Sequence, residues 1–206
     1  MRKNAIFIYL ALICLIPVFG GCVGPKAKRL DIAFYHVYYP APEPAVDPPV
    51  AATIAVEPFR VMPPFNTHRI IYATGPVAYD AYVYHQWFND PSDMITGLFY
   101  RDIRNAGIFR AAGFGNDRLA DYRLTGIVES FLERDHDHHW EAVLSITITL
   151  VDKTPRHVAG KVIFQKNYTS IQPCARKHPQ SLADAMSTAL ADVSLQMIND
   201  IHKAVL

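Results

Sequence analysis

The sequence predicts an α+β fold in which two helices pack on one face of an antiparallel or mixed sheet, preceded by a signal peptide and a proline-rich tether. Two observations indicate this fold. Three long segments with the composition of strands stand between two amphipathic helical segments, and 50% of the 206 residues are apolar, which is enough for one core. We expect a signal peptide over residues 1–21, a lipid-anchored tether over 22–52 and one domain over 53–206.

The charge and the distribution of apolar residues exclude several classes of protein. Lys and Arg number 20 and Asp and Glu 19, so no strong positive field is present to bind nucleic acid. A chain that is 50% apolar with so little net charge is not typical of intrinsic disorder. The one continuous apolar run lies at the N-terminus, which excludes a multi-spanning membrane protein.

The first residues have the pattern of a signal peptide. Arg2 and Lys3 precede an apolar run over 5–19, which is short for a bilayer-spanning helix of about 20 residues. The run leads into Gly20-Gly21-Cys22, which resembles the lipobox of bacterial lipoproteins, where the cysteine is acylated on its sulfur and, after cleavage, on its new amine. We therefore expect lipidation at Cys22, with a plain secretory signal or a short membrane anchor as alternatives.

The region after the cysteine predicts a tether. Two or three acyl chains anchor a protein stably where one does not. Five prolines within residues 40–49 favour extended polyproline II structure, which spaces a domain from a membrane. The aromatic stretch over 34–39 is too apolar for a solvated linker, and we expect it to form an edge strand or to dock on the domain.

The first half of the domain predicts short strands and a helix. The strands are expected over 53–57, 69–73 and 79–84. Asp90 and Pro91 are typical of a helix start, apolar residues then recur at helical spacing, and Gly107 ends the helix. Gly113-Phe114-Gly115 is interpreted as a turn.

The second half predicts a meander of three strands and a closing helix. Residues 122–131, 142–151 and 157–168 alternate in polarity or are rich in β-branched side chains. Ser181, with Asp184 three positions later, is typical of a helix cap, and one apolar face follows it almost to the C-terminus.

Common catalytic motifs are absent from the sequence, which has no GxxxxGK[ST] loop, HExxH helix or GxSxG turn. We expect no enzyme activity and no cofactor. With Cys14 removed and Cys22 acylated, Cys174 would be the one thiol left; it cannot form an intramolecular disulfide and is interpreted as inert.

One histidine-rich stretch offers metal ligands. His136, His138 and His139 lie between two predicted strands, and His136 and His138 would share a face if the stretch were a strand. We favour a solvated hairpin turn, because the sequence identifies no further ligand elsewhere.

The aromatic residues around the second and third strands have two interpretations, of which we favour core packing. The alternative is an exposed patch for an acyl chain or a protein partner. These residues are Tyr72, Tyr79, Tyr82, Tyr84, Trp87 and Phe88.

Several segments together carry a family resemblance. They are Tyr35 with Tyr38-Tyr39, Ile54-Ala55-Val56-Glu57-Pro58, Arg69-Ile70-Ile71-Tyr72, Tyr84-His85-Gln86-Trp87, Gly107-Ile108-Phe109 and Asp121-Tyr122-Arg123-Leu124-Thr125-Gly126. With the candidate acylated cysteine, they resemble the ABC-type transport auxiliary lipoproteins, which include the paraquat-inducible protein C type. The proline-rich insertion departs from the family pattern, in which the first strand soon follows the tyrosines.

The resemblance implies a non-enzymatic role beside an ABC transporter and its mammalian-cell-entry (MCE) domain protein, in moving phospholipid or other hydrophobic compounds between membranes. It implies a lipid-anchored position on the periplasmic side of the outer membrane, and only Cys22 transfers as a functional residue. The residue directly after the cysteine is Val23 and not an Asp, which agrees with sorting of the lipoprotein to the outer membrane. The alternatives are an assembly partner of an outer-membrane β-barrel such as the lipopolysaccharide translocon, or a periplasmic metal-binding protein using His136, His138 and His139.

Overall fold

The computed structural model describes residues 31–43, 48–116, 118–154 and 160–206. Within them it has nine strands in one mixed sheet and two helices, which confirms the predicted α+β class. The strands are β1 (Ala33–Tyr35), β2 (Val50–Val56), β3 (Arg60–Val61), β4 (Arg69–Ala73), β5 (Tyr79–Trp87), β6 (Phe109–Phe114), β7 (Tyr122–Asp135), β8 (Trp140–Asp152) and β9 (Lys161–Pro173). The helices are α1 (Pro91–Asn105) and α2 (Pro179–Val205).

Strand β7 organises the sheet because both of its edges are paired. One edge pairs antiparallel with β8, which pairs in turn with β9, so the three long strands form the predicted meander. Three short strands share the other edge, all parallel to β7: β2 along 122–124, β3 along 127–128 and β4 along 133–134. The sheet continues from β2 to β6, and from β4 through β5 to β1.

The core lies between the sheet and the two helices. Along β8, fully buried aliphatic side chains alternate with half-buried Ser and Thr, as expected for a strand with one covered face. Helix α2 packs on β8 and β9, while α1 contacts β6 and α2. Neither helix in the described part of the chain is long and apolar enough to cross a bilayer.

Helix α1 starts at the predicted place. The Asp90 carbonyl accepts hydrogen bonds from the amides of Asp93 and Met94 at 3.0 and 3.1 Å. Its side chain makes no capping hydrogen bond, and instead lies 3.3 Å from Nε2 of His68. Gly107 follows the helix at φ +65°, a left-handed conformation that favours glycine.

The predicted start of the closing helix at Ser181 is wrong by two residues. Helix α2 begins at Pro179, whose fixed φ suits the first helical position. His178 caps it, because its Nδ1 accepts a hydrogen bond from the Gln180 amide at 3.1 Å.

Strands β3 and β6 were not predicted. The interpretation of Gly113-Phe114-Gly115 as a turn is wrong for its first two residues, which belong to β6, while Gly115 turns the chain at φ +90°. Both strands pair in parallel with partners distant in sequence, so no adjacent hairpin marks them.

Candidate functional site

The predicted lipidation site lies outside the described residues. Cys22 and the expected signal peptide over 1–21 therefore stay predictions. The structure does describe how the chain enters the fold a short distance downstream, beginning at residue 31.

The aromatic stretch near the N-terminus forms an edge strand and also docks on the helices, which confirms both parts of its expectation. Strand β1 pairs parallel with the end of β5, and the Phe88 amide donates to the Tyr35 carbonyl at 2.7 Å. Val37 is fully buried, and the Tyr38 amide donates to Oγ of Ser187, on α2, at 3.0 Å. We call residues 33–39 the docked segment.

A buried hydrogen-bond cluster fixes the docked segment to both helices, and we call it the clamp (Tyr39, Arg101, Asp102 and Ser194). Asp102 has no exposed surface, and its Oδ2 accepts from the Tyr39 and Ser194 hydroxyls at 2.6 Å each. Arg101 Nε donates to Asp102 Oδ1 at 2.8 Å, and its Nη1 donates to the Tyr39 carbonyl at 3.0 Å. Because Asp102 belongs to α1 and Ser194 to α2, one carboxylate joins three parts of the chain.

The histidine-rich stretch forms a hairpin turn between β7 and β8, as predicted. The His136 amide donates to the His139 carbonyl at 2.9 Å, and the two imidazole rings stack with their centroids 4.6 Å apart. Their Nε2 atoms lie 3.2 and 3.5 Å from two different oxygens of Glu141. Among the described residues His138 is not part of this group, because the turn brings together positions three apart and not two.

A buried carboxyl, Glu133, lies on β7 just before this turn. It has no exposed surface and accepts hydrogen bonds from the Tyr82 hydroxyl at 3.0 and 3.2 Å. Burial is the main cause that raises the pKa of Glu133 to about 7. The Tyr82 hydrogen bond and the Lys177 charge lower this pKa, and the Asp135 charge raises it. Glu133 therefore changes protonation near neutral pH inside the fold.

We expect Glu133→Gln to remove one pH dependence of stability. Folding raises the pKa of Glu133 from its ordinary value of 4.5 to about 7. Between pH 4.5 and pH 7 the folded protein therefore keeps a proton that the unfolded chain has lost. Stability from this group is present below pH 4.5 and is lost as the pH rises to 7. The variant, which keeps an acceptor for Tyr82, should be more stable than the wild type at pH 8 by about 3 kcal/mol and nearly equal at pH 4.5.

Urea unfolding of both proteins across this pH range measures the difference. Tyr82→Phe removes a hydrogen bond that lowers the pKa of Glu133, so it should extend the loss of stability to higher pH. Parallel pH profiles for the wild type and Glu133→Gln would contradict the assignment.

The aromatic residues of β4 and β5, together with Phe88 just after β5, divide between the core and the surface. Trp87 is 1% exposed and Tyr82 is half-buried, as core packing predicts. Tyr84 and Phe88 are 43% and 65% exposed, and Phe88 packs edge-on against exposed Phe34 of β1 with centroids 6.2 Å apart. Core packing is therefore confirmed for the first pair, whereas the second pair is exposed, and a role of these residues in binding an acyl chain or a partner stays a prediction.

Two further features concern possible chemistry. A cavity of about 540 Å³ opens beside the hairpin, lined by Leu132, Arg134 and His136 among others. Cys174 is buried, and the pKa of its thiol is raised to about 11. Burial is the main cause, and the negative charge of Glu133 acts in the same direction. At neutral pH this thiol is protonated and unreactive, in agreement with its interpretation as inert.

Sequence reasoning missed Asp102, Glu133 and the role of Glu141. Asp102 follows Phe99 by three positions, on the apolar face of α1, and Glu133 follows buried Phe131 by two on β7. A carboxylate that interrupts a buried face is the signal that could have identified the first two.

Three comparisons relate the chain to known proteins. A family model described as ABC-type transport auxiliary lipoprotein component matches residues 35–198. No curated protein matches the sequence. Protein XCC0632 from Xanthomonas campestris superposes with a TM-score of 0.72 at 17% identity, covering 84% of this chain and 96% of its own. The hypothetical protein CT253 from Chlamydia trachomatis does so with a TM-score of 0.50 at 9% identity, covering 76% and 98%. At these identities the two structures show a shared fold.

Proposed function

Since the chain belongs to the family of ABC-type transport auxiliary lipoprotein components, we propose that it is the non-catalytic outer-membrane lipoprotein of an MCE/ABC system that transports phospholipid or other hydrophobic compounds. Acyl chains on Cys22 would hold it on the periplasmic side, and its domain would dock the MCE assembly onto the outer membrane. The observation that carries the proposal is the family match, which runs from the docked segment into α2.

The docked segment supports an anchoring role. It precedes the proline-rich stretch, so residues 23–32 are the chain available between Cys22 and β1. Ten residues reach at most about 35 Å when fully extended. An acylated Cys22 would therefore hold the domain close to the membrane surface.

The anchor is tested by Cys22→Ser in a bacterial host with two membranes. We expect the mature wild-type protein to carry acyl mass on its first residue and to sediment with the outer membrane, whereas the variant gains no acyl mass. Cys14→Ser is the matched control, because Cys14 lies in the expected signal peptide, and it should behave as the wild type. A mature wild-type protein without added mass would contradict the proposal.

The transport role is tested by co-purification from membranes in a mild detergent. We expect the wild-type protein to bring down an MCE-domain protein or an ABC component, and Cys22→Ser to do so less well from intact cells. Crosslinking to an outer-membrane β-barrel, with no MCE component recovered, would overturn the proposal in favour of the assembly-partner alternative.

A further inference from the structure

We propose that His136, His139 and Glu141 form a binding site for a divalent transition-metal ion such as Zn²⁺ at the tip of the β7–β8 hairpin. The site does not depend on the proposed transport role. Two imidazole nitrogens and a carboxylate oxygen are a ligand set that zinc accepts, and three protein ligands leave a fourth position for water or another ligand.

The distances fit a tetrahedral ion. Bonds of about 2.0–2.2 Å to zinc place neighbouring ligand atoms roughly 3.3–3.5 Å apart. The Nε2 atoms of His136 and His139 lie 3.2 and 3.5 Å from the carboxylate oxygens of Glu141, and the three ligand atoms are all within 4.8 Å of one another. The two histidine-to-carboxylate distances are therefore already close to the required spacing, and no two ligand atoms are more than 4.8 Å apart before an ion binds.

The hairpin holds the ligands in place. The two rings stack with an interplanar angle of 17°, so their Nε2 atoms can face one carboxylate together. Lys177 Nζ donates to the His136 carbonyl at 2.9 Å and pairs with Asp135 at 2.7 Å, which connects the turn to the residues just before α2. A site with such fixed ligands loses little conformational freedom on binding an ion.

The site is also open to solvent. The side chains of His136 and His139 are 42% and 53% exposed, so an ion can enter without opening the core. One cation competes for the same carboxylate: Nη1 of Arg134 lies 3.4 Å from Oε2 of Glu141. Removing this charge should therefore strengthen metal binding.

The test is a calorimetric titration of zinc chloride into the tag-free, detergent-solubilised lipoprotein after metal has been removed. We expect one zinc ion per chain. His136→Ala, His139→Ala and Glu141→Gln should each weaken binding by about tenfold or more. Arg134→Gln should strengthen it by up to about fivefold, the effect of losing a partly exposed ion pair.

His138→Ala is the matched control, since His138 lies in the same turn outside the ligand group, and it should bind zinc as the wild type does. Circular dichroism checks that each variant is folded, and Co²⁺ in place of Zn²⁺ should give the absorption bands of a tetrahedral site. No binding at millimolar zinc overturns the proposal. Binding that the three ligand variants leave unchanged, or that His138→Ala weakens as much as they do, also overturns it.

Discussion

Replacing Asp102 with alanine should lower the free energy of unfolding by about 3 kcal/mol, among the largest effects of any single substitution in the fold. The fully buried carboxylate accepts hydrogen bonds from Tyr39, Arg101 and Ser194, so its removal leaves buried hydroxyls and a guanidinium without their partner. Urea unfolding measures the loss. Amide hydrogen exchange should show faster exchange in the docked segment than in the wild type, because its attachment to the helices is weakened.

Single-partner variants provide the controls for Asp102. Tyr39→Phe and Ser194→Ala each remove one hydroxyl and leave the carboxylate paired with the other groups, so each should cost about 1 kcal/mol. A loss for Asp102→Ala no greater than that for Ser194→Ala would show that the carboxylate is not the centre of the clamp.

Gly126→Ala should cost about 2–3 kcal/mol by overpacking the core. A Cβ at this position on β7 would overlap the ring of Phe59, which is 1% exposed and packs edge-on against Phe99 with centroids 5.5 Å apart. Because the ring is buried, the strand or the chain around Phe59 must shift to relieve the overlap. Thermal and urea unfolding measure the effect.

Gly97→Ala is the matched control for this substitution. Gly97 lies in α1, and a Cβ there would meet no atom within 4 Å. Because alanine favours the helix more than glycine does, this variant should gain about 0.5–1 kcal/mol. Equal effects of the two substitutions would show that contact with Phe59 does not decide the result at Gly126.

Locally determined features of the fold were predictable from sequence. Asp90, Pro91 and Gly107 define the ends of α1 through backbone preferences that need no distant partner. The β-branched composition of β8 likewise predicts a strand from its own sequence. Strand β3 has two residues and exists only because it pairs with β7 in parallel, so its sequence carries no comparable signal.

The candidate site was predicted only in part, for a related reason. The rule that strand residues two apart share a face selects His136 and His138, but the hairpin reverses the chain and brings His139 to His136. The role of Asp102 depends on Tyr39 and Ser194, which are 63 and 92 positions away from it in the sequence. Contacts over such separations follow from the complete topology and not from local pattern.

The position of the clamp has a mechanical consequence. Tension on the N-terminus reaches β1 first, and this strand is held to the sheet by pairing at only three positions of β5. Beyond these pairs the chain is held by the buried Val37, by the Tyr38 amide bonded to Ser187 of α2, and then by Tyr39, which is bonded to Asp102 and Arg101 of α1. If Cys22 is anchored as proposed, tension from the membrane would therefore separate the short strand β1 first and leave the packing of α1 against α2 in place.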